Sequence, residues 1–207
     1  MSGPDGVAGG FVRDGVWFSV PRRAAATAPA DALVLVDAQH GFLTGAEAVP
    51  DAARLIDRLA GLLAAAREAG AVVVHLRNDG EPDAVDAPGS PGQELYFPVV
   101  DSPDEYLVGK EDDDGFAGTG LGELLEQRGV RRLVIAGMLS EMCVSATAHG
   151  AMEHGFAVIL PHDAHATYGL DDLPAAVVSR VAEHALGSDP EFVATAAAVR
   201  FTRPASP

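Results

Sequence analysis

The chain has a single cysteine, Cys143, in 207 residues. One thiol excludes an internal disulfide and fits a reducing compartment. Cations are scarce too: 14 Lys and Arg face 30 Asp and Glu, for a net charge of −16. Such a surface repels phosphate backbones and anionic lipid, which argues against nucleic-acid and membrane partners. No apolar run approaches the roughly 20 residues that a membrane span needs. The opening MSGPDGVAGGFVRDG has no basic stretch followed by an apolar one, so no secretion signal is expected and the cytoplasm is the expected location. What is present is ordinary for a soluble protein: 48% hydrophobic and 21% charged residues.

Residues 1–30 are rich in Gly, Pro, Ala and Arg around Val16-Trp17-Phe18. They are expected to pack as an extension on one domain spanning 31–207, with a short strand pair near FVRDGVWFSV. From residue 31 the pattern is regular. The runs ALVLVD (32–37), AVVVHLR (71–77), YLVGK (106–110), RRLVIAG (131–137), FAVILP (156–161) and EFVATAAAVRF (191–201) read as strands. Between them, residues 51–70, 118–129, 143–155 and 174–187 show helical spacing, each ending at glycine. Continuous apolar strands alternating with helices mean burial on both sheet faces and right-handed crossovers. The expected fold is α/β, a three-layer αβα sandwich around a doubly wound, mainly parallel six-stranded sheet of Rossmann-like type. In such sheets ligands sit beyond the carboxyl ends of the strands, near the switch in strand order.

Those strand ends deliver Asp37, then His75, Arg77 and Asn78, then Lys110, then the segment leading to Cys143, then His162, Asp163 and His165. A carboxylate, an ammonium and a thiol meeting at one rim form a plausible catalytic set. Each residue also has a bland reading. A free cysteine is often a small buried hydrophobe; Asp37 can cap a loop; Lys110, followed by Glu111 and three aspartates, can sit in solvated ion pairs. The start of a helix at Cys143 favours the functional reading, since a helix N-terminus lowers a thiol pKa and its amides stabilise an oxyanion.

Together, VDAQHGF (36–42), KEDDDGFAGTGL (110–121), VIAGMLSEMCVSAT (134–147) and LPHDAHAT (160–167) resemble, in order and spacing, the isochorismatase-like cysteine hydrolase superfamily over residues 31–186. The resemblance implies an Asp37, Lys110, Cys143 triad. It also implies a non-proline cis peptide at Met138–Leu139 and an oxyanion hole from the amides of Leu139 and Cys143. Cys143 places the chain with the members that hydrolyse C–N bonds rather than vinyl ethers. GMLSEMCVSAT and HDAHATYG, with the N-terminal extension, resemble members that open a lactam in a cationic antibiotic. The implied substrate is a small amide, lactam or ureido compound, and the implied assembly a homodimer or homotetramer.

Metal-binding members carry an Asp-x-His that VPDAARLI (49–56) lacks, and a single imidazole after the second strand, His75, is better read as packing, so no catalytic metal and no cofactor are expected. A second departure is Ser140-Glu141, where many members have Thr-Asp. The pocket candidates are Trp17, Phe42, Glu141, His165 and Tyr168, with His75, Arg77, Tyr96 and Phe116 as weaker ones better explained by packing. Two other readings compete: a catalytically silent interaction module of this fold, and a nucleotide- or flavin-binding doubly wound domain. The latter is disfavoured because no Gly-rich turn joins the first strand to the first helix.

Overall fold

The computed structural model describes residues 26–205 and, before them, the backbone of three strands: β1 (Gly10–Arg13), β2 (Val16–Ser19) and β3 (Arg22–Arg23). β1 and β2 pair antiparallel, Phe11 opposite Phe18. The rest of the chain forms β4 (Ala32–Val36), α1 (His40–Leu43), α2 (Ala52–Ala69), β5 (Val72–Asn78), β6 (Glu105–Lys110), α3 (Leu121–Gln127) and β7 (Arg132–Met138). These are followed by α4 (Ser145–Glu153), β8 (Ala157–Pro161), β9 (His165–Ala166), α5 (Ala175–Ala185) and β10 (Glu191–Val193).

The sheet runs β3-β10-β8-β7-β4-β5-β6, every pairing parallel, with β9 added beside the end of β7. Six of these strands match the apolar runs. The two extra ones, β3 and β9, have two residues each, too short to leave a run in the sequence. The last strand is also shorter than expected. It stops at Val193, and the chain then turns through Ala196–Ala198 before Phe201 bridges to Ala30.

β4 shows why the strands read as unbroken apolar runs. All five of its residues are buried. Ala32, Val34 and Val36 enter one core with Leu121, Leu125, Val144 and Ala148 of the α3/α4 layer. Leu33 and Leu35 enter the other with Leu55, Leu59, Leu62 and Leu63 of α2. The α2 side chains recur at helical spacing, and the helix stops at Gly70, whose left-handed backbone (φ 67°) lets its N–H reach Ala66 and Arg67 carbonyls. After edge strand β3 the chain enters the centre with β4, winds outward through β5 and β6, then returns to β7 on β4's other side. The order therefore reverses between β4 and β7, and that crevice is where this topology places ligands. No helix among the described residues is long and apolar enough to cross a membrane.

Candidate active site

The strand-order switch juxtaposes two chain ends. β4 delivers Asp37, whose φ of 51° turns the chain sharply out of the strand; aspartate tolerates this left-handed region better than most residues. Val36 of β4 pairs with Gly137 of β7. Gly137 has φ 134°, and a Cβ there would lie 2.0 Å from the Val36 carbonyl oxygen, so only glycine fits. One residue further on, the Met138–Leu139 peptide bond is cis. A wide turn over Ser140–Val144 then leads into α4, with Met142 in a non-helical conformation (φ −109°, ψ −108°). Cys143 thus lies two residues before α4 instead of starting it, as the helical spacing had suggested.

Lys110, at the end of β6, links the other two groups. Its Nζ lies 3.0 Å from Asp37 Oδ2 and donates to Cys143 Sγ at 3.3 Å. The same ammonium donates to Asn78 Oδ1 at 3.0 Å and to the Asp112 carbonyl at 3.1 Å. All three site residues are buried: Asp37 and Lys110 are each 2% exposed and Cys143 8%. The thiol donates to Asp113 Oδ1 at 3.3 Å.

Burial sets the electrostatics. Desolvation raises the Asp37 carboxyl to about 6, against the lowering effects of Lys110 and the adjacent Cys143. For Lys110, burial opposes the charge, but the negative charges of Asp37 and Cys143 outweigh it and raise its pKa. The thiol is pushed up, first by burial and then by the Asp37 charge, with Lys110 pulling the other way. This corrects the expectation from sequence: a dry pocket and a neighbouring carboxylate overcome the helix-start effect. The thiol is thus shifted up while the Asp37 carboxyl near it lies close to neutrality.

Sequence reasoning named Asn78 without a role, saw Gln39 only within VDAQHGF, read Asp113 as one of the solvated acids after Lys110 and overlooked Asp86. Gln39, fully buried, accepts from the Asn78 N–H at 2.8 Å and donates to the Asn78 carbonyl at 3.0 Å. Asp86 accepts from Asn78 Nδ2 at 2.7 Å. Asn78 is thereby fixed on both sides while it receives Lys110. The usable signal was Gln39 itself, two residues after the aspartate in VDAQHGF. On the other side, Thr147 of α4 accepts the Gly115 N–H at 3.0 Å and ties the loop after Lys110 to the helix after Cys143.

The pocket candidates separate. Phe42 and Tyr168 are half-buried against the α2-side core, and the Tyr168 hydroxyl donates to the Glu47 carbonyl at 2.5 Å. Glu141 is exposed, and its Oε1 accepts from Thr167 Oγ1 at 2.9 Å. His165 is buried, with Nδ1 2.8 Å from Ser140 Oγ, and it lines a 340 Å³ cavity between the N-terminal ends of α2 and α5. Trp17's side chain lies outside the described residues. The weaker candidates go to packing. His75 is buried with Nε2 2.9 Å from Glu105 Oε1, at the opposite end of β6 from Lys110, and burial lowers its pKa. Arg77 pairs with Asp79, Tyr96 packs on Phe97, and Phe116 stacks on His154. Glycines of GFAGTGLG do not form a phosphate cradle at the switch point, because this loop follows edge strand β6.

Comparison with known proteins bears on the same span. A family model described as the isochorismatase domain matches residues 31–187. Two streptothricin hydrolases of Streptomyces noursei are similar: one is 58% identical over 84% of this chain and 65% of its own length, the other 55% identical over 86% and 73%. The chain thus spans about two thirds to three quarters of the length of these curated relatives. A crystal structure of an isochorismatase from Pseudomonas putida superposes with a TM-score of 0.75 at 27% identity, covering 84% of this chain and 94% of that one.

Proposed function

The chain belongs to the isochorismatase family, and we propose that it is a cysteine hydrolase that cleaves a C–N bond of a small amide, lactam or ureido compound through a thioester. The observation that carries this reading is the single ammonium of Lys110, 3.0 Å from the Asp37 carboxylate and 3.3 Å from the Cys143 sulfur. Asp37 takes the thiol proton as the sulfur attacks the carbonyl carbon. Lys110 keeps its charge and offsets the negative charge that moves from carboxylate to sulfur. The tetrahedral oxyanion rests on the amides of Leu139 and Cys143. Asp37 returns the proton to the nitrogen as the C–N bond breaks. Water then attacks the thioester, Asp37 takes its proton, and the same proton goes back to sulfur as the carboxylic acid leaves. No step of this chemistry requires a metal or cofactor.

The substrate best supported is the lactam of a streptothricin-type antibiotic, on the identity to the two hydrolases of that name. Exposed Glu111, Asp112 and Asp113 stand beside Lys110 and suit a cationic compound. Phe42, Glu141, Tyr168, His165 and Trp17 are the pocket residues in this reading. Residues 31–207 act as one hydrolase domain with 1–30 packed on it, in a cytoplasmic homodimer or homotetramer with no nucleic-acid or membrane partner. The test is mass spectrometry of a streptothricin-type lactam, followed by a panel of amides and ureido compounds. Hydrolysis adds one water to the ring-opened product, and Cys143→Ala should abolish it. Turnover retained by that variant overturns the covalent route. No turnover of any panel member, with a thiol inert to iodoacetamide, favours the silent interaction module.

A further inference from the structure

A second buried polar cluster lies on the other side of the nucleophile turn, and the hydrolysis has no use for its chemistry. His162 follows β8, His165 opens β9 and Glu183 sits on α5. One ligand atom from each, His162 Nδ1, His165 Nε2 and a Glu183 oxygen, lies within 4.8 Å of the others. His162 Nδ1 is 2.5 Å and His165 Nε2 3.2 Å from Glu183 Oε1. Although it is that close to a carboxylate, His165 Nε2 makes no aligned hydrogen bond.

We propose that His162, His165 and Glu183 form a non-catalytic binding site for a divalent transition-metal ion with the preferences of zinc. Two imidazole nitrogens and a carboxylate oxygen are a donor set zinc favours. In a tetrahedral zinc site with bonds of about 2.0–2.1 Å, ligand atoms stand about 3.3 Å apart. The His165–Glu183 separation already matches that spacing. The His162–Glu183 separation must open by about 0.8 Å to reach it, and the His162 side chain, 30% exposed, has room to move.

The supporting groups are those that hold metal ligands in place. Ser140 Oγ sits on the other ring nitrogen of His165 at 2.8 Å, fixing the ring so that Nε2 faces the cluster. Arg180 Nη1 lies 3.1 Å from the second oxygen of Glu183, which leaves Oε1 toward the histidines. His162 and His165 both line the 340 Å³ cavity, which gives an entry path and room for a water as fourth ligand. A bound ion would join the ends of β8 and β9 to α5, and through His165 it would brace Ser140 in the nucleophile turn.

The experiment uses the full chain carrying Cys143→Ala, which removes the competing thiol, stripped with chelator and titrated with zinc chloride by calorimetry. The expected result is one zinc per chain, with binding weakened by ~100-fold or more in the added His162→Ala or Glu183→Gln background, as loss of a ligand exceeds the 10–100-fold cost of losing a supporting group. A cobalt(II) titration should give the visible absorption of a tetrahedral site, and His162→Ala should remove it. His162 is partly exposed, so that variant carries the test if Glu183→Gln fails to fold. No stoichiometric zinc, or equal zinc affinity with and without His162, overturns the proposal and leaves a plain His–Glu–His contact cluster. Because turnover is not read, this outcome is independent of the hydrolase reading.

Discussion

Two buried carboxylates flank the turn that carries Cys143, and their environments push them in opposite directions. Asp37 meets one ammonium in a dry crevice, and desolvation wins: its carboxyl rises to about 6. Glu183 is equally buried, but its contacts with His162 and His165 outweigh desolvation, and its carboxyl falls to about 2. The first can gain and lose a proton near neutral pH, which suits a base. The second stays charged across the physiological range, which suits an anchor. Neither shift follows from residue type; the groups packed around a buried acid decide it.

The comparison breaks most visibly in catalysis. Replacing Cys143 or Asp37, as Cys143→Ala or Asp37→Asn, should lower kcat by at least ~10⁴-fold, in line with the loss of members of a catalytic unit. Glu183→Gln in metal-free buffer should leave most of kcat. Steady-state rates on a lactam substrate separate the two, and comparable losses from Asp37→Asn and Glu183→Gln would erase the distinction.

The next effect is on stability. Lys110→Met leaves the Asp37 carboxylate buried without its ion pair, which should cost about 3–5 kcal/mol at neutral pH. Glu183→Gln keeps the side chain's shape and removes only charge-assisted contacts, at a cost of about 1–3 kcal/mol. Urea denaturation with matched m-values measures both.

The smallest effect is a pH dependence. As a base, Asp37 must be deprotonated, so kcat/KM should fall as pH drops through about 6. For stability the sign is opposite. A carboxyl raised from 3.8 to about 6 on folding contributes stability that is full below 3.8 and lost as pH rises through about 6. Asp37→Asn should therefore flatten the stability profile between these values. An unchanged profile in that variant would mean that Asp37 does not titrate there.

The meeting of Asp37, Lys110 and Cys143 was legible in the sequence because a parallel sheet places strand ends at one rim, and the strands declare themselves as apolar runs. Asp37, Lys110 and Cys143 fall at such ends. Glu183 does not: in PAAVVSRVAEHALG it reads as one polar residue on an amphipathic helix, and its partners are contributed by segments about twenty residues earlier. β9, which brings His165 alongside Gly137, has two residues and no apolar signature. The thiol's raised pKa was also hidden, since it depends on how dry the crevice is and on which acid faces the sulfur. A helix start alone pointed the wrong way.

Gly137 governs a spacing in which it takes no chemical part. Because position 137 has no methyl group, β7 can lie against the Val36 carbonyl, and the residues just beyond each strand, Asp37 and the Cys143 turn, inherit that closeness. The gap across which a proton would pass is a property of the backbone lattice, written one residue before the acid and six before the sulfur. An alanine at 137 would wedge the strands apart and could silence the site with every reactive atom still in place.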